Sequence, residues 1–77
     1  MDDYQPIPCA DHERLEFAVL RRQRLLIAYR DGAEVVDAHG LPTDVETREG
    51  AEWLTFRDDQ GTITRLRLDR LIRFGPA

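Results

Sequence analysis

The side chains best equipped for chemistry in this chain lie near its start. Asp11, Glu13 and Glu16 follow one another closely, with Asp2 and Asp3 ahead of them. Glu13 and Glu16 are three apart, so on a helix they share one face. On an exposed helix they lack the enclosing pocket that retunes a carboxyl for acid–base work. Their chemistry is recognition: an acidic patch attracts a basic surface and speeds encounter with it. The plainer alternative is that acids near a helix start only complement the helix dipole.

Other reactive groups are sparse. His12 and His39 are separated by a predicted helix and two predicted strands and lack metal-ligand spacing, so both are expected at the surface. There is no serine, so no serine nucleophile exists. The single cysteine, Cys9, has only His12 near it as a base and is expected to be a small buried apolar anchor for the lead-in. It also excludes an internal disulfide and a cysteine-based zinc site. Five scattered glycines form no phosphate loop. These residues predict a protein that is not an enzyme and needs neither cofactor nor metal.

Charge placement points the same way. The net charge of −4 comes from 15 acids and 11 bases, every base an arginine. Residues 1–16 hold five acids against Arg14 alone, whereas residues 17–77 hold ten of each sign, so the whole excess is N-terminal. Such a surface repels phosphate backbones, so no direct nucleic-acid contact is expected. Arg65, Arg67, Arg70 and Arg73 make a possible basic stripe, but Asp58, Asp59 and Asp69 interleave it, which favours a salt-bridged surface.

The elements that position these groups can be read from period and turn residues. Pro6 and Pro8 make residues 1–10 an extended lead-in. Asp11 is the expected N-cap of a helix over 11–22, with Leu15, Ala18 and Val19 facing inward and Phe17 and Leu20 widening the stripe. The period then changes to two. Strands are expected at 24–30, 33–38, 51–57 and 62–68, with a short one at 71–74. Asp31-Gly32 and Asp58-Asp59-Gln60-Gly61 are turn signals, and residues 39–50 read as a loop with Val45 as a lone anchor. Phe17, Phe56 and Phe74 are expected in the core. Trp53, opposite Leu54 and Phe56, either seals the helix to the sheet or lies at an interface. Tyr4 either packs back on the body or serves as a contact anchor.

A chain of 77 residues is expected to be one domain with a small core. One helix cannot cover both faces of five strands, so a bent sheet forming a small barrel is expected, with the helix over an open end. This is an Sm-like arrangement, mainly β; an OB-like barrel or an open sheet with one covered face are the alternatives. The longest apolar run, Leu25 to Tyr29, is five residues. A spanning helix needs about 20, and the N-terminus has no signal-peptide pattern, so no membrane association and a cytoplasmic location are expected.

Two blocks resemble a known family. Tyr4-Gln5-Pro6-Ile7-x-Cys9, then Asp11 and Leu15-Glu16-x-Ala18, is similar to the N-terminal signature of the Rho-binding antiterminators. Leu66-Arg67-Leu68-Asp69-Arg70-Leu71-x-x-Phe74 is similar to their C-terminal signature, and the likeness runs from Tyr4 to Phe74. Pro8 departs from the polar residue of the pattern, and Glu13 matches by charge rather than identity. The resemblance implies an Sm-like fold and binding to the N-terminal RNA-binding region of the termination factor Rho, blocking RNA loading. It places the contact on Tyr4, Asp11, Glu13 and Glu16, with Asp2 and Asp3 as a steering rim, and the free protein is expected to be a monomer. The competing expectations are an Sm-like RNA-binding or RNA-chaperone module and a subunit that oligomerises through its sheet edges.

Overall fold

A computed structural model describes residues 3–77. Helix α1 spans Cys9–Arg21 and is followed by strands β1 (Leu25–Asp31), β2 (Glu34–Arg48), β3 (Ala51–Asp58) and β4 (Ile63–Arg67). A single 3-10 turn, Leu68–Arg70, leads into β5 (Leu71–Pro76). The five strands form one antiparallel sheet in the order β4-β3-β2-β1-β5. The fold is therefore mainly β with an N-terminal helix, as expected. The barrel is not closed: β4 and β5 end the sheet on either side, bridged by the 3-10 turn.

The helix begins two residues before the expected cap. Pro8 (φ −55°, ψ 142°) takes the N-cap position, and its carbonyl accepts from the amides of Asp11 (3.0 Å) and His12 (3.1 Å). Asp11 is thus inside the first turn and caps nothing with its side chain. Cys9, the first helical residue, is exposed, contrary to the expected buried anchor. At the other end Arg22 turns left-handed (φ 52°). Its amide bonds to the Val19 carbonyl and the amide of Gln23 to the Ala18 carbonyl, a Schellman closure without glycine.

The largest difference from expectation is β2. Residues 39–50, read as a loop, belong almost wholly to a strand of 15 residues. Residues 34–40 pair with β1 and residues 40–48 with β3, so Gly40 faces Leu25 on one side and Asp58 on the other. The sheet turns its corner here. A Cβ on Gly40 would stand 2.1 Å from the Arg57 carbonyl oxygen, so no other residue fits without moving backbone. Pro42 lacks an amide proton and sits where the β2–β3 register shifts, between Pro42 and Asp44. Glu49 (φ 53°) and Gly50 (φ 77°) make the two-residue turn into β3, with both positive φ values of a type I′ hairpin.

The core joins Leu15 and Ala18 of α1 to Leu25 and Ile27 of β1, Leu54 and Phe56 of β3, and Leu66 and Leu68 beyond them. These residues alternate along their strands, as half-buried strands require. Phe74 and Tyr4 pack at its margin. Phe17 does not join it and is 51% exposed, because Leu15 and Ala18 already fill the inward face of the helix.

Candidate functional site

Glu13 and Glu16 lie side by side on the outer face of α1, both exposed. The ring of His12 stands between Glu16 and the sheet. Its Nδ1 is 3.0 Å from Glu16 Oε1, and its Nε2 contacts Glu52 Oε2 on β3. A neutral imidazole donates from one nitrogen only, so both contacts are hydrogen bonds together only when the ring is doubly protonated. His12 thereby stands as the side-chain contact between the first turns of the helix and β3, with Glu16 beside it. Glu13 has no ion-pair partner among the described residues and stands open to solvent.

The other expected contact residues sit elsewhere. Asp11 precedes Glu13 by two residues and so lies about 200° around the helix from it. It faces β5, where it lines a groove of about 390 Å³ with Ile7, Pro8, Arg14, Ile72 and Phe74, and its carboxylate is 3.4 Å from Arg14. Arg14 in turn lies over the Phe74 ring at 4.6 Å. Asp3 is exposed beside Gln5, Arg30 and Arg70. Asp2 lies outside the described residues.

Tyr4 packs back on the body, half-buried, with the Arg67 guanidinium 5.8 Å from its ring centre. Its hydroxyl is buried near the Glu52 backbone but makes no hydrogen bond of normal geometry. Burial, with the carboxylates of Glu52 and Asp69 nearby, pushes the phenol above its usual range. The lead-in is held by Asp69, whose carboxylate accepts from the Gln5 amide at 3.1 Å and from Arg67 Nε and Nη2 at 2.7 and 2.8 Å. Burial alone would raise the Asp69 carboxyl. The hydrogen bonds from Arg67 and Gln5 and the charges of Arg67 and Arg70 outweigh it and hold the group below its usual range.

Three of the four arginines of the expected stripe, Arg65, Arg67 and Arg70, line a groove of about 370 Å³ with Tyr29, Arg30 and Trp53, whereas Arg73 lies apart on β5, 3.6 Å from Asp37. The charge of the groove is largely compensated: Arg65 bonds Glu46 at 2.7 Å and Arg67 bonds Asp69. Arg65 also covers the Trp53 ring at 5.6 Å, while the indole N–H donates to the Arg48 carbonyl at 3.3 Å. Trp53 therefore packs across the sheet, not against the helix.

No local pattern links His12 to Glu52, because only the fold brings the first turns of α1 to β3. The exposure of Phe17 and Leu20 was hidden by their hydrophobicity, although 13, 16, 17 and 20 have the spacing of one helix stripe.

Comparison with known proteins agrees with this architecture. The chain resembles part of the proteasome accessory factor B/C (PafBC) of Arthrobacter aurescens with a TM-score of 0.79, over 97% of this chain and 12% of that one. At 15% identity that likeness concerns the fold alone. It is 32% identical over 73 residues to protein rof of Escherichia coli (strain K12), covering 95% of this chain and 82% of that protein. The same figures hold for protein rof of Shigella flexneri. Residues 6–77 match the family described as modulator of Rho-dependent transcription termination (ROF). With nearly the whole chain covered by that match, the protein belongs to the Rof family of modulators of Rho-dependent transcription termination.

Proposed function

We propose that this chain binds the N-terminal RNA-binding region of Rho through the outer face of α1 and lowers Rho-dependent termination by blocking the loading of RNA. The carrying observation is the pair Glu13 and Glu16, exposed together on one helix face within the segment that holds the chain's entire net charge. A site that holds RNA must be basic to neutralise phosphates, so an acidic helix face is a fitting competitor for it. His12 orients one of the two carboxylates and leaves the other free to reach out. Asp2 and Asp3 act as a steering rim, Tyr4 and Asp11 border the contact from the lead-in and the first turn of the helix, and the protein works as a cytoplasmic monomer without catalysis.

Direct RNA binding is the second reading, favoured by the groove of Arg30, Arg65, Arg67 and Arg70 around Trp53. The pairing of Arg65 with Glu46 and of Arg67 with Asp69 counts against it.

A competition assay separates the two. The protein is titrated into Rho holding a labelled C-rich RNA at two salt concentrations. Displacement that weakens as salt rises is expected. Glu13→Lys with Glu16→Lys should fold normally and bind Rho at least tenfold more weakly, about 1.4 kcal/mol. Labelled RNA bound by this protein, with none displaced from Rho, would replace the proposal with the second reading.

A further inference from the structure

The acidic pair is half of a longer stripe. Glu13, Glu16, Phe17 and Leu20 follow the i, i+3, i+4, i+7 spacing, which places all four within about 100° of the helix surface and about 10 Å of its length. Phe17 is 51% exposed and Leu20 77%, the latter the most exposed large apolar side chain among the described residues. The other exposed large apolar groups, Leu26, Val35, Ile63 and Ile72, are spread over four strands. The guanidinium of Arg21 lies 5.4 Å from the centre of the Phe17 ring and is the only ring contact of Phe17 among the described residues. The inward face of the helix is already filled by Leu15 and Ala18, so the core does not call for these two side chains.

We infer that Phe17 and Leu20 are the apolar anchors of the contact that Glu13 and Glu16 begin, and that they enter apolar pockets on the same Rho surface. This rests on the reading of α1 as the Rho-binding face. Exposed carboxylates contribute chiefly speed and orientation, and their reversal to lysine weakens binding largely by adding repulsion. Binding strength at such surfaces concentrates in a few large side chains that leave water completely. A site for single-stranded RNA also presents two chemistries, charge for the phosphates and apolar or aromatic walls for the bases. The stripe offers the counterpart of both in sequence along one helix: carboxylates toward the N-terminal end, a ring and a branched aliphatic group toward the C-terminal end. The occupant is therefore a basic surface with an adjoining apolar pocket, not a uniformly charged one.

The test compares three forms of the full chain for Rho binding at low and high salt: wild type, Phe17→Ala with Leu20→Ser, and Glu13→Gln with Glu16→Gln. The apolar variant is expected to lose more than tenfold in affinity at both salt concentrations while keeping the wild-type salt slope. The charge variant is expected to flatten the slope. Thermal melts should show the apolar variant folded as well as wild type; Leu20→Lys alone, at the most exposed position, guards against a folding defect and should also weaken binding. Wild-type affinity in both the apolar double variant and Leu20→Lys would overturn the inference while leaving the Rho-binding proposal standing. Failure of wild type itself to bind Rho would overturn both.

Discussion

Replacing Asp69 by Ala removes three hydrogen bonds at once: two from the Arg67 guanidinium and one from the Gln5 amide. The Asp69 side chain is only 8% exposed and that of Arg67 16%, so the arginine is left with little access to water in compensation. A hydrogen bond to a charged group contributes about 1.5–3 kcal/mol, and such terms are not additive within one network. Removing one partner of a buried pair costs about 3–5 kcal/mol. Arg67 keeps some solvent contact, its place by the Tyr4 ring and other contacts, so a loss at the low end, about 3 kcal/mol, is expected. That is a large share of the roughly 4–12 kcal/mol open to a chain of this length. Urea unfolding followed by the fluorescence of Trp53, the only tryptophan, measures it directly. The pH dependence supplies a second check. The carboxyl of Asp69 is held below its ordinary value of 3.8 in the folded protein. Its contribution is therefore complete above that value and is lost as pH falls through the lower, folded one. The gap between wild type and Asp69→Ala should be constant near neutrality and shrink only in acid below 3.8. A gap under about 0.5 kcal/mol at pH 7, or one that ignores pH, would refute the view of Asp69 as the tie between lead-in and sheet.

Tyr4→Phe removes a buried hydroxyl without a hydrogen bond, so stability should stay level or rise by up to about 1 kcal/mol in urea melts. Burial disfavours the ionised phenol in the folded protein, so wild type should lose stability as pH climbs from the ordinary value of 10.0 through the raised folded one, and the variant should lack this alkaline loss. Gly40→Ala drives a Cβ into the Arg57 carbonyl and should cost about 3 kcal/mol or prevent folding, read by circular dichroism. Phe56→Ala empties the largest fully buried side chain and should cost about 3–5 kcal/mol in the same urea experiment.

Local patterns carried most of the strands. Leu54 and Phe56 alternate, Asp31-Gly32 marks a hairpin, and both outcomes follow from neighbouring residues. The stretch around Gly40 and Pro42 was illegible for a physical reason. Glycine and proline signal a break when read locally, yet here they permit a strand to bend between two partners. The helix starts ahead of Asp11 because Pro8 supplies φ and a carbonyl acceptor in place of a capping side chain. Hydrophobicity alone turns Cys9 and Phe17 inward, whereas the small helix–sheet interface buries only Leu15 and Ala18 of the helix. At the candidate site, Glu13 and Glu16 were legible from spacing. The His12–Glu52 contact and the turning of Asp11 toward β5 depend on where the helix docks, which no local pattern encodes.

The unclosed sheet gives the domain a mechanical character that a sealed barrel lacks. A sealed barrel can widen only by breaking a ladder of backbone hydrogen bonds. Here β4 and β5 carry no ladder between them, and the corner at Gly40 already divides β2 into a half bound to β1 and a half bound to β3. The sheet is therefore two halves, β5-β1 and β3-β4, that share a backbone ladder only through β2. Helix α1 is pinned to β3 through His12 and reaches β5 across the Arg14–Phe74 contact, so it spans this seam like a strap.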